Sequence, residues 1–403
     1  SSDLYWMASE DHDFEEINHF YSSGKKYHWF SEQTGAVGAF STEGIQPVLD
    51  AFFAQFSEGV HNTDLHELLN RAYQFETLAE ATFYLVHHLF GSLGLLVVEP
   101  NNPVLKAQAV SLFKSEIKNQ LVNTTVSAQA ANLIAQGYPL QVNPRPVNLF
   151  YLSDQRRDRI VQKPTGTYHA LGTDLEWTAD KLLLHITDAP ERFSPNVLLR
   201  PLYQECILPN IAYVGGGGEV SYWLQLKNTF DSFEVPFPIV VVRHSVVWVD
   251  DKIDRKRVGL DLEWVDFLRK KDALINYYIR RISNLDLDFS EAQNALQQQF
   301  DHLREMAQQT DASFLGAVNA QEKKQLNGLK HLEKRLLKAQ KRVLSDRIDR
   351  VSKLHNELFP MGVAQERIEN FSLLYGLLGN QLFNRLMDSF TTFQGKLHVI
   401  SKD

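Results

Sequence analysis

Over its first 260 or so residues the chain alternates short apolar runs with stretches whose apolar positions recur at helical spacing. Leu4-Tyr5-Trp6-Met7-Ala8, Leu93 to Val98 and Pro238-Ile-Val-Val-Val242 have the length and texture of buried strands, whereas Ile45 to Phe56 and Leu65 to Leu89 read as amphipathic helices. Such alternation predicts an α/β layer structure. Glu99-Pro-Asn-Asn-Pro103 closes one strand in a turn. Near Gly137-Tyr138 the texture changes to Pro144-Arg-Pro146, Asn148-Leu-Phe-Tyr151 and a series of short strand candidates, which predicts an inserted connecting subdomain over about 137–190. From residue 263 onward Gln, Lys, Glu, Leu and Ala dominate. Leu296, Phe300, Leu303 and Ala307 are spaced four, three and four apart, and Leu329, Leu332, Leu336, Ala339 and Val343 keep the rhythm, giving an a/d seam. Thr310 to Gly316 is the expected reversal between two antiparallel arms. Pro360-Met-Gly362 breaks the helix, and a helical tail ends in the strand-like Leu397-His-Val-Ile400. The expected divisions are therefore 1–262, 263–360 and 361–403.

Composition narrows the function classes. A chain of 403 residues with a formal net charge of -8 argues against an extended nucleic-acid footprint. Its longest apolar runs fall far short of the roughly 20 residues a membrane-spanning helix needs. No segment resembles a signal peptide, so a cytoplasmic location is expected. Cys206, the single cysteine, has no internal disulfide partner and reads as a small buried apolar residue rather than a nucleophile.

Glu10-Asp11-His12-Asp13 follows directly on the first apolar run, at what would be the carboxyl end of a strand, where open α/β sheets bind ligands. Asp11, His12 and Asp13 are candidates for acid/base work or amine binding; the plainer alternative is an acidic helix N-terminus complementing the macrodipole. His12, Glu16 and His19 would share one face of a helix and could serve a zinc-dependent hydrolase, but no zincin spacing is present and no metal is assigned. Tyr213-Val-Gly-Gly-Gly-Gly-Glu219 offers a turn where the backbone passes close to a ligand or takes positive φ, ahead of a helix with Tyr222 and Trp223. It is neither a Walker A loop nor a GxGxxG element. Arg200, before Pro201 and so biased to an extended backbone, could clamp a carboxylate or phosphate. Arg156, Arg157 and Arg159 read as a solvated face.

Trp6-Met-Ala-Ser-Glu-Asp-His-Asp-Phe-Glu-Glu-Ile-Asn18, Gly35-Ala-Val-Gly38, Asn148-Leu-Phe-Tyr151, Ser194-Pro-Asn-Val to Arg200-Pro-Leu, Ala212-Tyr-Val-Gly-Gly-Gly-Gly-Glu219 and Gln365-Glu-Arg367 together resemble the bacillithiol-biosynthesis cysteine-adding enzymes. The resemblance spans nearly the whole chain. It implies a Rossmann-like nucleotidyltransferase-type core with connecting insertions, a C-terminal antiparallel coiled coil making a homodimer, and a ligase that joins cysteine to the amine of glucosaminyl-malate to form bacillithiol. It also implies a preceding strand and a Gly-Gln-Gln loop that residues 1–403 do not match, and a Gly-Gly-Pro-Gly-Glu that reads here as Gly215 to Glu219. An amide does not form from a free carboxylate in water without activation, so ATP is expected, through an adenylate or an acyl phosphate. On this reading Asp11, His12 and Asp13 are catalytic. Substrate would be held by Glu10, Asn18, Asn148, Asn196, Arg200, Gln204, Gly215, Gly216, Gly218, Glu219, Tyr222 and Trp223. Nucleotide (ATP/ADP) would lie against Lys252, Asp254, Arg350, Arg367 and Asn370. The rival class is a non-catalytic coiled-coil protein whose α/β core only binds a ligand.

Overall fold

The computed structural model describes residues 3–57, 59–310, 312–390 and 395–401. The chain divides into two compact units, one made of Ser1–Ser245 with Glu369–Leu397, the other of Val246–Ile368 with His398–Asp403.

In the first unit β1 (Leu4–Trp6) leads through a hairpin of β2 (His19–Ser22) and β3 (Lys25–His28) to β4 (Leu96–Val98). The apolar stretch Leu65 to Leu89 is two helices, Val60–Ala72 and Leu78–Phe90, because Thr77 closes a capping box with Glu80 and starts a new helix. Leu93 sits in a 3-10 turn ended by Gly94 at φ +88, so β4 starts only at Leu96. β1 and β4 pair in parallel, Leu4 opposite Leu96 and Trp6 opposite Val98. The insertion supplies β5 (Leu149–Ser153), β6 (Arg156–Gln162), β7 (Tyr168–Ala170), β8 (Glu176–Trp177) and β9 (Phe193–Pro195), an antiparallel sheet in the order β8-β7-β6-β5-β9. Beyond it a helix Arg200–Ile207 precedes β10 (Ala212–Gly215), which pairs in parallel with β11 (Ile239–Val242). One core cluster joins the helices after β4, the insertion and the segment from Leu198 to Val240, with Phe113, Leu149, Phe193, Leu199, Tyr203 and Trp223 buried in it, and a second gathers Trp29, Ile45 and Leu49 against Leu69 and Leu78.

Two expectations fail locally. Arg200 is the first residue of its helix rather than extended, since Leu199 before it is already αR and the Asn196 side chain accepts the N–H groups of Leu198 and Leu199. Cys206 is exposed in the last turn of that helix, although Leu202 and Tyr203 one turn earlier are buried.

The second unit carries helices Asp251–Gly259, Lys271–Ile282, Ser290–Ala307, Ala312–Val343 and Ser345–Leu358, and a strand pair β12 (Ser245–Val249) with β13 (Leu397–Ser401). Residue 262, the expected boundary, lies inside this unit because Asp251–Gly259 packs here, with Lys256 Nζ 2.6 Å from Glu357 Oε1. Ser290–Ala307 and Ala312–Val343 form the antiparallel hairpin. Phe300, Ala307 and Val318 bury its closed end and Arg280 reaches Glu333 at 2.6 Å near the other. The reversal is tighter than Thr310 to Gly316, since Phe314 and Gly316 are helical; Asp311 lies outside the described residues. The tail helices Ser372–Leu378 and Gln381–Ser389 belong to the first unit.

Trp223 is fully buried, stacked on Tyr213 at 4.1 Å. Trp223→Ala should lower the unfolding free energy by about 3–5 kcal/mol in denaturant titration; a loss under about 1 kcal/mol would show that this core collapses around the vacancy.

Candidate functional site

The loop leaving β1 is held from both sides. Gly38 approaches so closely that a Cβ there would lie 2.5 Å from Ser9 Cβ, and its N–H donates to Ser9 O at 2.8 Å, while Val37 N–H donates to Asp11 O at 2.7 Å. Glu10 is buried and pairs with the fully buried Lys106 ammonium, which also donates to Phe193 O at 2.7 Å. Burial pushes the Lys106 pKa down, opposed by Glu10. Glu99, just past β4, accepts from Ser9 Oγ and from Asn101 N–H on one oxygen, and its other oxygen is buried without a hydrogen-bond partner among the described residues. Burial raises its carboxyl pKa. Asp11, His12 and Asp13, in contrast, are exposed at the rim. Asp11 Oδ1 accepts His12 N–H at 2.7 Å, and Arg157 Nη1 stands 3.2 Å from His12 Nδ1 and 3.7 Å from Asp11 Oδ1.

Next to this rim lies a second cluster. Asn148 Nδ2 donates to Glu116 and to Arg145 O, and its Oδ1 accepts from Asn196 Nδ2 at 2.8 Å. Asn196 in turn holds the turn that enters the helix at Arg200, its side chain accepting the N–H groups of Leu198 and Leu199 and its carbonyl that of Arg200. The Arg200 guanidinium donates to Gln204 Oε1 at 3.0 Å and Tyr222 OH at 3.2 Å and faces the Trp6 and Tyr213 rings at 5.9 and 6.0 Å. It makes no ion pair with a carboxylate among the described residues. Glu219 accepts from Tyr213 OH at 2.8 Å and from Gly216 N–H at 2.7 Å, which folds the glycine run back on itself. None of Gly215 to Gly218 takes positive φ. Gly215 is needed for space, since a Cβ would meet Tyr213 at 2.8 Å, while Gly217 has nothing within 4 Å and Gly218 only Gln141 at 3.9 Å.

The expected residues therefore separate into groups. Glu10, Asp11, His12 and Asp13 share one loop, and Asn148, Asn196, Arg200, Gln204 and Tyr222 form one hydrogen-bonded chain. Asn148 is buried with its amide fully engaged, so it orients Asn196 rather than reaching a ligand. Buried Asn18 bonds His19 Nδ1 at 2.9 Å, and buried Trp223 packs in the core. His12, Glu16 and His19 do not share a helix face: His12 precedes the short helix Phe14–Ile17, Glu16 is in it and His19 is in β2. Among the described residues no group of three or more His, Cys, Asp or Glu side chains could hold a metal. Lys252, Arg350 and Arg367 are exposed in the second unit without an ion pair among the described residues, Asp254 there is engaged by Arg257 at 2.8 Å, and Asn370 belongs to the first unit, where its N–H donates to Tyr21 O.

Three residues were not read as functional from the sequence. Lys106 and Glu99 carry no signal beyond lying near a strand end. Arg157 was assigned to a solvated face, but side chains alternate along a strand. Arg156 pairs outward with Asp158, and Arg157 is largely covered, over Phe150 at 4.1 Å, its pKa lowered by desolvation. That alternation was the available clue.

Parallel strand pairs flanked by helices, with cations and carboxylates gathered past the carboxyl ends of β1 and β4, define an enzyme-like α/β unit, joined here to an antiparallel helical hairpin. Residues 3–244 match the family described as "Bacillithiol biosynthesis BshC, N-terminal Rossmann-like domain", and residues 246–402 match that family's C-terminal coiled-coil domain. The chain is 42% identical over 403 residues to a protein of Christiangramia forsetii, a match covering 99% of this chain and 75% of the relative. It is 42% identical over 399 residues to one of Flavobacterium johnsoniae, with the same coverages. A relative from Bacillus pumilus is 27% identical over 423 residues, 98% of this chain and 76% of that protein. Each bears the name "Putative cysteine ligase BshC". The chain belongs to the BshC family of ligases, with a Rossmann-like core and a coiled coil.

Glu99 gives a pH prediction. Its folded pKa is raised above the ordinary 4.5, so its contribution to stability is fully present below pH 4.5 and lost as pH rises through the folded value. Glu99→Gln keeps an acceptor for Ser9 and Asn101. Its urea midpoint should therefore gain on the wild type as pH rises from 4.5 toward neutrality; a constant difference would place an ordinary carboxyl at this position.

Proposed function

We propose that this protein is the cysteine ligase that completes bacillithiol synthesis, joining the carboxyl of cysteine to the amine of glucosaminyl-malate. The observation that carries this reading is Arg200: a guanidinium among Trp6, Tyr213 and Tyr222, without a carboxylate partner among the described residues, next to a loop of exposed ionisable groups. A planar fork of donors suits the carboxylates of malate. The aromatic rings shield the pair from water and strengthen it. Tyr222 OH and Gln204 hold the fork in orientation, and Asn196, fixed by Asn148, sets the helix start that aims it.

The attacking amine must be unprotonated, so a group on the rim has to accept its proton. Asp11, His12 and Asp13 occupy that position, and the buried Glu10 anchors them. Glu10 and Lys106 neutralise each other beneath the loop, so the pair adds little net charge to the rim. ATP, when bound, supplies the activation of the cysteine carboxyl. Within the second unit the exposed cations Lys252, Arg350 and Arg367 suit its phosphates and Asp254 its ribose. We assign the homodimer to the helical hairpin, which leaves Leu303, Leu332 and Val343 of its seam exposed. The reaction is placed in the cytoplasm.

Incubation with glucosaminyl-malate, cysteine and ATP should give bacillithiol, detected by mass spectrometry after thiol labelling. In Arg200→Ala the KM for glucosaminyl-malate should rise about 10–100-fold, as expected for losing charge-assisted hydrogen bonds. Absence of product with binding of glucosaminyl-malate intact would favour the ligand-binding class instead.

A further inference from the structure

Three contacts immobilise the Arg157 guanidinium. Nε donates to Ser194 Oγ at 3.2 Å, Nη2 donates to Pro195 O at 3.1 Å, and the plane lies over Phe150 at 4.1 Å. Its turn is equally fixed: Gly35 at φ +103 lets the backbone at Gln155 come within 2.8 Å of where a Cβ would stand. Nη1 is left aimed at the acidic loop, 3.2 Å from His12 Nδ1. A guanidinium has only donors, so the nitrogen it meets must be a bare acceptor. The competing partner of that nitrogen is Asp11 Oδ1 at 3.4 Å, which would require the proton on Nδ1 instead. Asp11 Oδ1 already accepts His12 N–H at 2.7 Å and faces Arg157.

We infer that Arg157 is a positioning residue that holds His12 as the neutral tautomer with its proton on Nε2. His12 then presents an N–H donor at the half-exposed rim; as the amine nitrogen bonds to the acyl carbon, the bond from that carbon to the phosphate-bearing oxygen breaks, AMP or phosphate departs with the electron pair, and the amine proton passes to Asp11 or Asp13. The tautomer stands on the geometry alone. Its catalytic consequence rests on the ligase reading.

Histidine ring nitrogens labelled with 15N, followed by long-range proton–nitrogen correlations at about pH 8, where an ordinary imidazole is neutral, report the tautomer directly. His12→Gln assigns the signal. The wild type should show protonated Nε2 and bare Nδ1; in Arg157→Ala the proton should move to Nδ1, toward Asp11. Arg157→Lys, whose ammonium also only donates, should keep the wild-type pattern, and it replaces the alanine variant if that one does not fold. A wild-type signal with the proton on Nδ1, an unchanged pattern in Arg157→Ala, or a switched one in Arg157→Lys would overturn the inference. In turnover, Arg157→Ala should lose about 10²-fold or more in kcat with KM for glucosaminyl-malate little changed, and added guanidinium should restore part of it. Loss of turnover in every protein with the tautomer pattern intact would count against the ligase reading and leave this assignment standing.

Discussion

A lysine ammonium with no solvent exposure constrains the whole first unit. Removing a charge from water costs several kcal/mol unless it is paired and hydrogen-bonded, and Lys106 meets that requirement with two groups far away in sequence, the Glu10 carboxylate and the Phe193 carbonyl. The rings of Tyr203 and Phe113 close around it at 5.2 and 5.7 Å. The loop after β1, the helix after β4 and the strand β9 therefore cannot move independently without exposing an unpaired charge.

β9 and the residue after it carry this constraint from one cluster to the other. Phe193 O accepts Lys106, Ser194 Oγ and Pro195 O accept Arg157, and Asn196 ties Asn148 to the start of the Arg200 helix. Four consecutive residues thus set the positions of both cations that face the acidic loop and of the arginine suited to a carboxylate. An antiparallel insertion is well suited to this, because its hydrogen-bonded ladder fixes register on both sides of β5. The exposed groups Asp11, His12 and Asp13 stay available at the rim because their neighbours Ser9 and Glu10 are the ones anchored.

Much of this architecture was legible in the sequence. The apolar runs at Leu4 and Ile239 became strands and the seam from Leu296 to Val343 became a helical hairpin, while the glycine run is divided between elements, Gly215 ending β10, Gly216 linking, and Gly217 and Gly218 opening the helix of Tyr222 and Trp223. Local patterns report local structure, and those features are local. What failed depended on partners distant in the chain. The helical alignment of His12, Glu16 and His19 was lost when the chain turned into β2, and the extended bias of Arg200 yielded to the turn that Asn196 holds ahead of its helix. The boundary near 262 moved because Lys256 meets Glu357. Lys106 and Arg157 are ordinary surface residues by composition; only their tertiary partners make them otherwise.

Hydrogen–deuterium exchange in Lys106→Met tests this dependence most directly. The substitution leaves the Glu10 carboxylate buried without its cation, so the account predicts that amides of residues 9–13 and of Phe193, Ser194 and Asn196 exchange at least about tenfold faster, a local cost of about 1.4 kcal/mol or more, while helices of the second unit keep their protection. Unchanged protection across both segments would contradict it and show that the loop is held by its backbone contacts with Val37 and Gly38 alone.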